Sequence, residues 1–135
     1  MRASKSESLP LCTDEDVIHC RQIVRKWLVE QGFKLIAQTK MVTAVSELAR
    51  NTVIHGKGGV ALLEILSENN EFRGIRVTCE DHGPGIHDIE QALKGGFSTG
   101  DGLGLGLSGS KRLVDEFQLC SEAGKGTRVT ITMWK

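Results

Sequence analysis

Glu47 and Asn51 stand four residues apart in a stretch of helical pattern, so a carboxylate and a carboxamide lie one turn apart on the same side of a helix. Met41, Val45, Leu48 and Thr52 form the stripe of that stretch, and the pair sits on its flank, roughly 80–120° round. A carboxylate and an amide at the border of a core can line a cleft; the same pair also suits a solvated helix face. Asp81-His82-Gly83-Pro84-Gly85 follows directly on a strand pattern. An Asp at a strand end can accept from the exocyclic amine of a base, with glycines that let another molecule approach the backbone, and the same residues make a plain turn. The strongest local signal is Gly102-Leu103-Gly104-Leu105-Gly106-Leu107-Ser108-Gly109, running into a helix. Glycines let backbone N–H groups crowd around phosphate oxygens, and a helix N-terminus adds donors and a positive dipole end. Gly124-Lys125-Gly126-Thr127 closes the set, either as a hairpin turn or as a Thr hydroxyl near a buried base or its bridging water.

Two familiar phosphate patterns fail here. Gly104-x-Gly106-x-x-Gly109 matches the dinucleotide fingerprint formally, but a Gly/Ser-rich stretch precedes it where a strand belongs, and too few residues follow for a doubly wound sheet. A P-loop needs G-K-[ST], whereas Gly109 is followed by Ser110 and Lys111.

The elements that must position these groups can be read from periodicity. Thr13-Asp14-Glu15-Asp16 is a capped helix start, and Val17, Cys20, Val24, Trp27 and Leu28 keep helical spacing until Gly32, giving a helix over about residues 14–31. A second helix is expected over about 37–55, ending at Gly56 and the Gly58-Gly59 pair. Residues 60–67 and 74–80 are β-rich and joined by Glu68-Asn69-Asn70-Glu71, an antiparallel hairpin. A short helix over about 87–93, a glycine-rich loop from Gly95 to Gly109, a helix over 108–116 and strands over 118–123 and 127–134 complete the chain. This order implies an α/β two-layer sandwich, with one mixed, mostly antiparallel sheet and helices on a single face.

Composition sets the bounds. The 135 residues suit one domain. Seventeen Lys and Arg balance seventeen Asp and Glu, so no overall field draws in nucleic acid or an anionic membrane. Sixteen glycines are about 12% of the chain, against roughly 7% in average proteins, an excess that position has to explain. Cys12, Cys20, Cys79 and Cys120 form no C-x-x-C pair and no finger spacing with His, so they read as small, mostly buried apolar residues. The opening MRASKSESLP has no apolar leader, and the longest apolar run, residues 60–66, is broken by Glu64 and far below the ~20 residues of a membrane helix. A cytoplasmic protein is expected.

Taken together, in this order and spacing, the four segments resemble the Bergerat-type ATP site of the GHKL superfamily, which includes gyrase B, Hsp90, the MutL proteins, sensor histidine kinases and anti-sigma-factor serine kinases. Glu47 and Asn51 match the N-box, Asp81-His82-Gly83-Pro84-Gly85 the first glycine box, Gly102-Leu103-Gly104-Leu105-Gly106 the second, and Gly126-Thr127 the closing G-T. None of His19, His55, His82 or His87 stands in the H-[DE]-x-x-x-P context of a sensor-kinase phosphoacceptor. The size resembles the free-standing anti-sigma-factor and switch-protein serine kinases. Residues 43–51, Gly96-Phe97-Ser98-Thr99 and residues 111–117 are most similar to the RsbT-type switch kinases of the bacterial stressosome. The resemblance covers about residues 10–134 and implies one GHKL-type domain over 10–135, with residues 1–9 expected to be disordered.

The resemblance implies roles. Asn51 would hold Mg²⁺; Glu47 would be the general base toward a partner's Ser or Thr hydroxyl; Asp81 would read the adenine amine of ATP, supported by Thr127. Gly83 and Gly85 would leave room for base and sugar, and residues 95–106, with Gly102, Gly104, Leu105 and Gly106, would form a lid over the triphosphate. Lys111 and Arg112 read as a surface paired with Asp115 and Glu116, and Arg50 as a solvated residue or partner contact. The implied activity is a protein serine/threonine kinase in partner switching. Its implied substrate is a STAS-domain protein, a PP2C-type phosphatase regulator is a further partner, and a homodimer is compatible with it. Two other readings stay open: an anti-sigma factor or nucleotide-dependent binding module that sequesters a sigma factor, and a separate histidine-kinase catalytic domain.

Overall fold

The computed structural model describes residues 1–85 and 103–135. In chain order these form β1 (Arg2–Leu11), α1 (Asp14–Glu30), α2 (Leu35–Ile54), β2 (Gly59–Glu68), β3 (Glu71–Asp81), α3 (Leu103–Leu113), β4 (Glu116–Glu122) and β5 (Gly126–Trp134). The sheet order is β1-β2-β3-β5-β4. All four pairings are antiparallel, so the two-layer sandwich stands as expected while the mixed sheet becomes an antiparallel one among the described residues.

Strand alternation explains why one face of that sheet takes helices. Leu63, Val77 and Ile131 lie in one row across β2, β3 and β5, with Ala61-Cys79-Val129 and Ile65-Ile75-Met133 as the flanking rows, and all nine are buried. Against them α1 presents Val17, Cys20, Val24, Trp27 and Leu28, and α2 presents Met41, Val45, Leu48 and Ala49. The opposite face is polar at its centre, where Arg76 grips Glu64 with Nε–Oε1 at 2.8 Å and Nη2–Oε2 at 3.1 Å.

Local chemistry sets the boundaries. At the start of α1 the Thr13 hydroxyl accepts from the Asp16 N–H at 3.2 Å, while Asp16 Oδ2 accepts from the Thr13 N–H at 3.1 Å, the reciprocal capping box expected from the sequence. Asn69 and Asn70, at φ 54° and 63°, make the two-residue turn between β2 and β3. Left-handed conformation at both positions is the turn whose twist matches an antiparallel hairpin, and Asn tolerates it.

Four expectations change. Residues 1–9 are not disordered: β1 pairs with β2 from Arg2↔Ser67 to Leu11↔Gly59. The polar SKSES run concealed it, because an edge strand draws its order from the ladder and inward burial comes only at Leu9 and Leu11. The helix expected over 108–116 begins at Leu103, so Gly104, Gly106 and Gly109 are helical despite their low propensity. It also stops at Leu113. Asp115 therefore leaves the helix and accepts from the Trp134 N–H at 2.7 Å, in place of pairing one turn on with Lys111. Of the four cysteines, Cys20 and Cys79 are buried whereas Cys12 and Cys120 are exposed. The expected helix over 87–93 lies outside the described residues. Among the described residues, no helix is long and apolar enough to cross a membrane.

Candidate active site

A cavity of about 220 Å³ opens between the C-terminal half of α2, the ends of β3 and β5, and α3. Sites that enclose a drug-sized ligand run to roughly 300–1,000 Å³, so this volume suits one flat ring system with the rest of a ligand outside. Leu48, Cys79, Leu107 and Val129 supply apolar walls; Asn51, Thr52, His55, Asp81 and Thr127 supply polar ones. Thr52 turns its hydroxyl back to the Leu48 carbonyl at 3.0 Å, which spends its donor within α2.

Asp81 is the most constrained polar group of the wall. It is only 7% exposed, and its Oδ1 accepts from the N–H of Gly83 at 2.8 Å and from the N–H of Thr127 at 3.3 Å. Gly126, at φ 101°, packs so closely on Asp81 that a Cβ there would overlap the Asp81 carbonyl oxygen. The Thr127 hydroxyl lies 2.8 Å from Ser121 Oγ, so a β4 serine orients it. Asn51 contributes a buried amide: its Nδ2 has no hydrogen-bond partner among the described residues. Buried polar atoms are nearly always satisfied, so this orphan on a residue of the cavity lining is an exception.

The structure therefore brings Asn51, Asp81, Gly85 and Thr127 around one cavity. Gly83 stands behind Asp81. A Cβ on Gly83 would come to 2.7 Å from Gly56 Cα, and one on Gly85, at φ 76°, would overlap the Glu122 carbonyl. Both glycines thus pack closely on the protein's own backbone, and Gly85 also lines the cavity. Glu47 lies one turn before Asn51 outside the cavity lining; its side chain is 41% exposed and 3.9 Å from Arg50 Nη1. A pair that exposed adds little stability and leaves the carboxylate accessible. Gly104, Leu105 and Gly106 fall in the first turn of α3, where backbone N–H groups have no partner within the helix. Gly102 and the expected lid before it lie outside the described residues.

Several lining residues escaped sequence reading. His55 follows Asn51 by four and could have been found by extending the Glu47–Asn51 stripe one more turn. Cys79 and Val129 are directly paired across β3 and β5, a register that no local pattern reveals, and Ser121 reaches Thr127 only through the β4–β5 ladder.

Residues 36–135 match the family of histidine kinase-, DNA gyrase B-, and HSP90-like ATPases. The chain belongs to that family. Among its relatives, the serine/threonine-protein kinase RsbT of Bacillus subtilis (strain 168) is 42% identical over 125 residues, spanning 92% of each chain. The anti-sigma F factor of Clostridium acetobutylicum is 30% identical over 135 residues, covering 96% of this chain and 92% of its own. In fold, the chain is similar to the crystal structure of the RsbU and RsbW domains of Rv1364c from Mycobacterium tuberculosis, with a TM-score of 0.65 and 24% identity over 96% of this chain and 32% of that one. ATP binding follows from the family, and the serine/threonine kinase activity expected from the sequence stands on the likeness to RsbT.

Proposed function

We propose that the protein transfers the γ-phosphate of MgATP to a Ser or Thr hydroxyl of a STAS-domain partner in the cytoplasm, as the switch kinase of a partner-switching pathway. The observation that carries this reading is the stripe on α2: Glu47 half-exposed at the surface, and one turn on Asn51, a residue of the cavity lining. Asp81 accepts from the adenine amine, and Thr127 supports it. The α3 N-terminus, with Gly104, Leu105 and Gly106, offers backbone N–H groups to the phosphates, and Gly102 precedes it in sequence. Glu47 takes the proton of the partner hydroxyl as its oxygen bonds to the γ-phosphorus, and the bond to the β-phosphate oxygen breaks to release ADP.

Mg²⁺ is a hard ion that takes few protein oxygens and keeps phosphates and water in its shell, and the Asn51 carboxamide would supply one such oxygen, Oδ1. The ion, when bound, neutralises charge on the phosphates.

The identity to RsbT favours the kinase over a module that only sequesters a partner, and the accessible Glu47 carboxylate one turn from Asn51 is consistent with it. A PP2C-type phosphatase regulator is the second partner on this reading; a sigma factor is the partner on the anti-sigma reading that the Clostridium relative raises. Incubation with γ-labelled ATP, a STAS protein, a phosphatase regulator and a sigma factor in separate reactions separates them. Acid-stable label on Ser or Thr of the STAS protein is the expected result. Acid-labile label on a His would instead make this a separate histidine-kinase domain.

A further inference from the structure

Gly56 follows α2 and lines the cavity beside Asp81. A Cβ placed on it would overlap the Cβ, Cγ and Oδ2 of Asp81. On its other side, the Gly56 backbone fills the space that a Gly83 side chain would need, with Cα at 2.7 Å and O at 2.8 Å from that Cβ position. Gly56 is thus pressed between the carboxylate and the turn that follows it.

The backbone at this position does not demand glycine. Positive φ occurs at Gly32, Gly58, Gly85, Gly124 and Gly126, and Gly56 is not one of them. A left-handed backbone is thus not what excludes an alanine, and the three atoms its Cβ would meet first all belong to the Asp81 side chain. Asp81 has nowhere to retreat: it is buried, its Oδ1 holds two backbone amides, and its carbonyl abuts Gly126.

We propose that Gly56 is a positioning residue for base selection: its missing side chain is the seat of the Asp81 carboxylate, and so sets a preference for a purine with an exocyclic amine over one with a carbonyl at the same ring position. This rests on Asp81 as the group that reads the base. Gly56 touches no reacting atom; it acts through Asp81.

The test compares ATP with inosine triphosphate, which differs by that one substituent, in calorimetric titrations of the full chain. A site built to hydrogen-bond an amine rejects the analogue lacking it strongly, so the wild type should prefer ATP by roughly a hundredfold or more. Gly56→Ala should weaken ATP and leave inosine triphosphate within about threefold of wild type, collapsing the ratio. A wild-type ratio in Gly56→Ala overturns the proposal alone. No preference in the wild type overturns the reading of Asp81, and the proposal with it. Melting without nucleotide gives the second arm: Gly56→Ala should lower Tm in the wild-type background and leave it level or raise it in Asp81→Gly, where the obstructing atoms are gone. An equal loss in both backgrounds would mean that Gly56 serves something other than the Asp81 seat.

Discussion

Asp81 and Thr127, 46 positions apart in sequence, meet in the wall of the cavity, where the Thr127 N–H donates to Asp81 Oδ1 at 3.3 Å. The same oxygen accepts from the Gly83 N–H at 2.8 Å. One carboxylate oxygen is thereby committed to the protein, while Oδ2 lies on the Gly56 side and accepts no hydrogen bond among the described residues. Secondary structure makes this possible: β3 ends at Asp81 and β5 begins at Gly126, so two strand ends and a glycine turn converge on one side chain.

Asp81→Asn should therefore separate folding from base recognition. Oδ1 faces two N–H donors, so the asparagine must put its oxygen there and turn its NH₂ toward the base, donor against donor. Loss of one charge-assisted hydrogen bond is worth about 1.5–3 kcal/mol, or roughly ten- to 150-fold in ATP affinity. Titration calorimetry should show that loss with the melting temperature of the nucleotide-free protein nearly unchanged.

Asn51→Ala should behave in the opposite way to an ordinary core truncation. The wild type buries an amide nitrogen with no partner among the described residues, which costs stability in the absence of ligand. The nucleotide-free variant should melt at or above the wild-type temperature, while the stabilisation by saturating MgATP, about 2.7 kcal/mol at a hundred times Kd for the wild type, should disappear. A calorimetric scan with and without MgATP reads both.

The thiols should divide two and two. Burial pushes the Cys20 thiol up from 9.0 to about 11, and burial, with the Cys20 charge adding to it, pushes Cys79 up as well. Both groups have folded pKa values above their unfolded ones, so their contribution is complete below pH 9 and is lost as pH rises. Stability should fall above pH 9 by up to about 1.4 kcal/mol per pH unit for each thiol, and replacing both by Ala should flatten the curve. At neutral pH a thiol reagent should modify Cys12 and Cys120, which are exposed, and spare the other two.

Helices α1 and α2 were legible to within two residues because each carries a one-sided apolar stripe, and α1 also a capping box. The β2–β3 hairpin was legible because two Asn residues separate two β-rich runs. β1 was not, because its order comes from the ladder with β2, and its own composition is that of a tail. The start of α3 was hidden by glycines that propensity assigns to a loop, although the helix as a whole packs on α2. Of the site, Asn51, Asp81 and Thr127 were legible as types at strand and helix ends, whereas their convergence on one cavity depended on the β3–β5 pairing. The glycines were legible as an excess, but the reason for Gly83 and Gly85 was not: it lies in backbone contacts with Gly56 and Glu122.

Transfer from γ-labelled ATP to the STAS protein by Glu47→Ala, run beside ATP titration of the same variant, tests the kinase assignment most directly. Glu47 lies outside the cavity wall, so ATP affinity should stay within about threefold of wild type, while the transfer rate should fall by the roughly 10²–10⁴ that a general base supplies. Label that continues to appear on the partner at the wild-type rate, with ATP bound normally, would contradict the account.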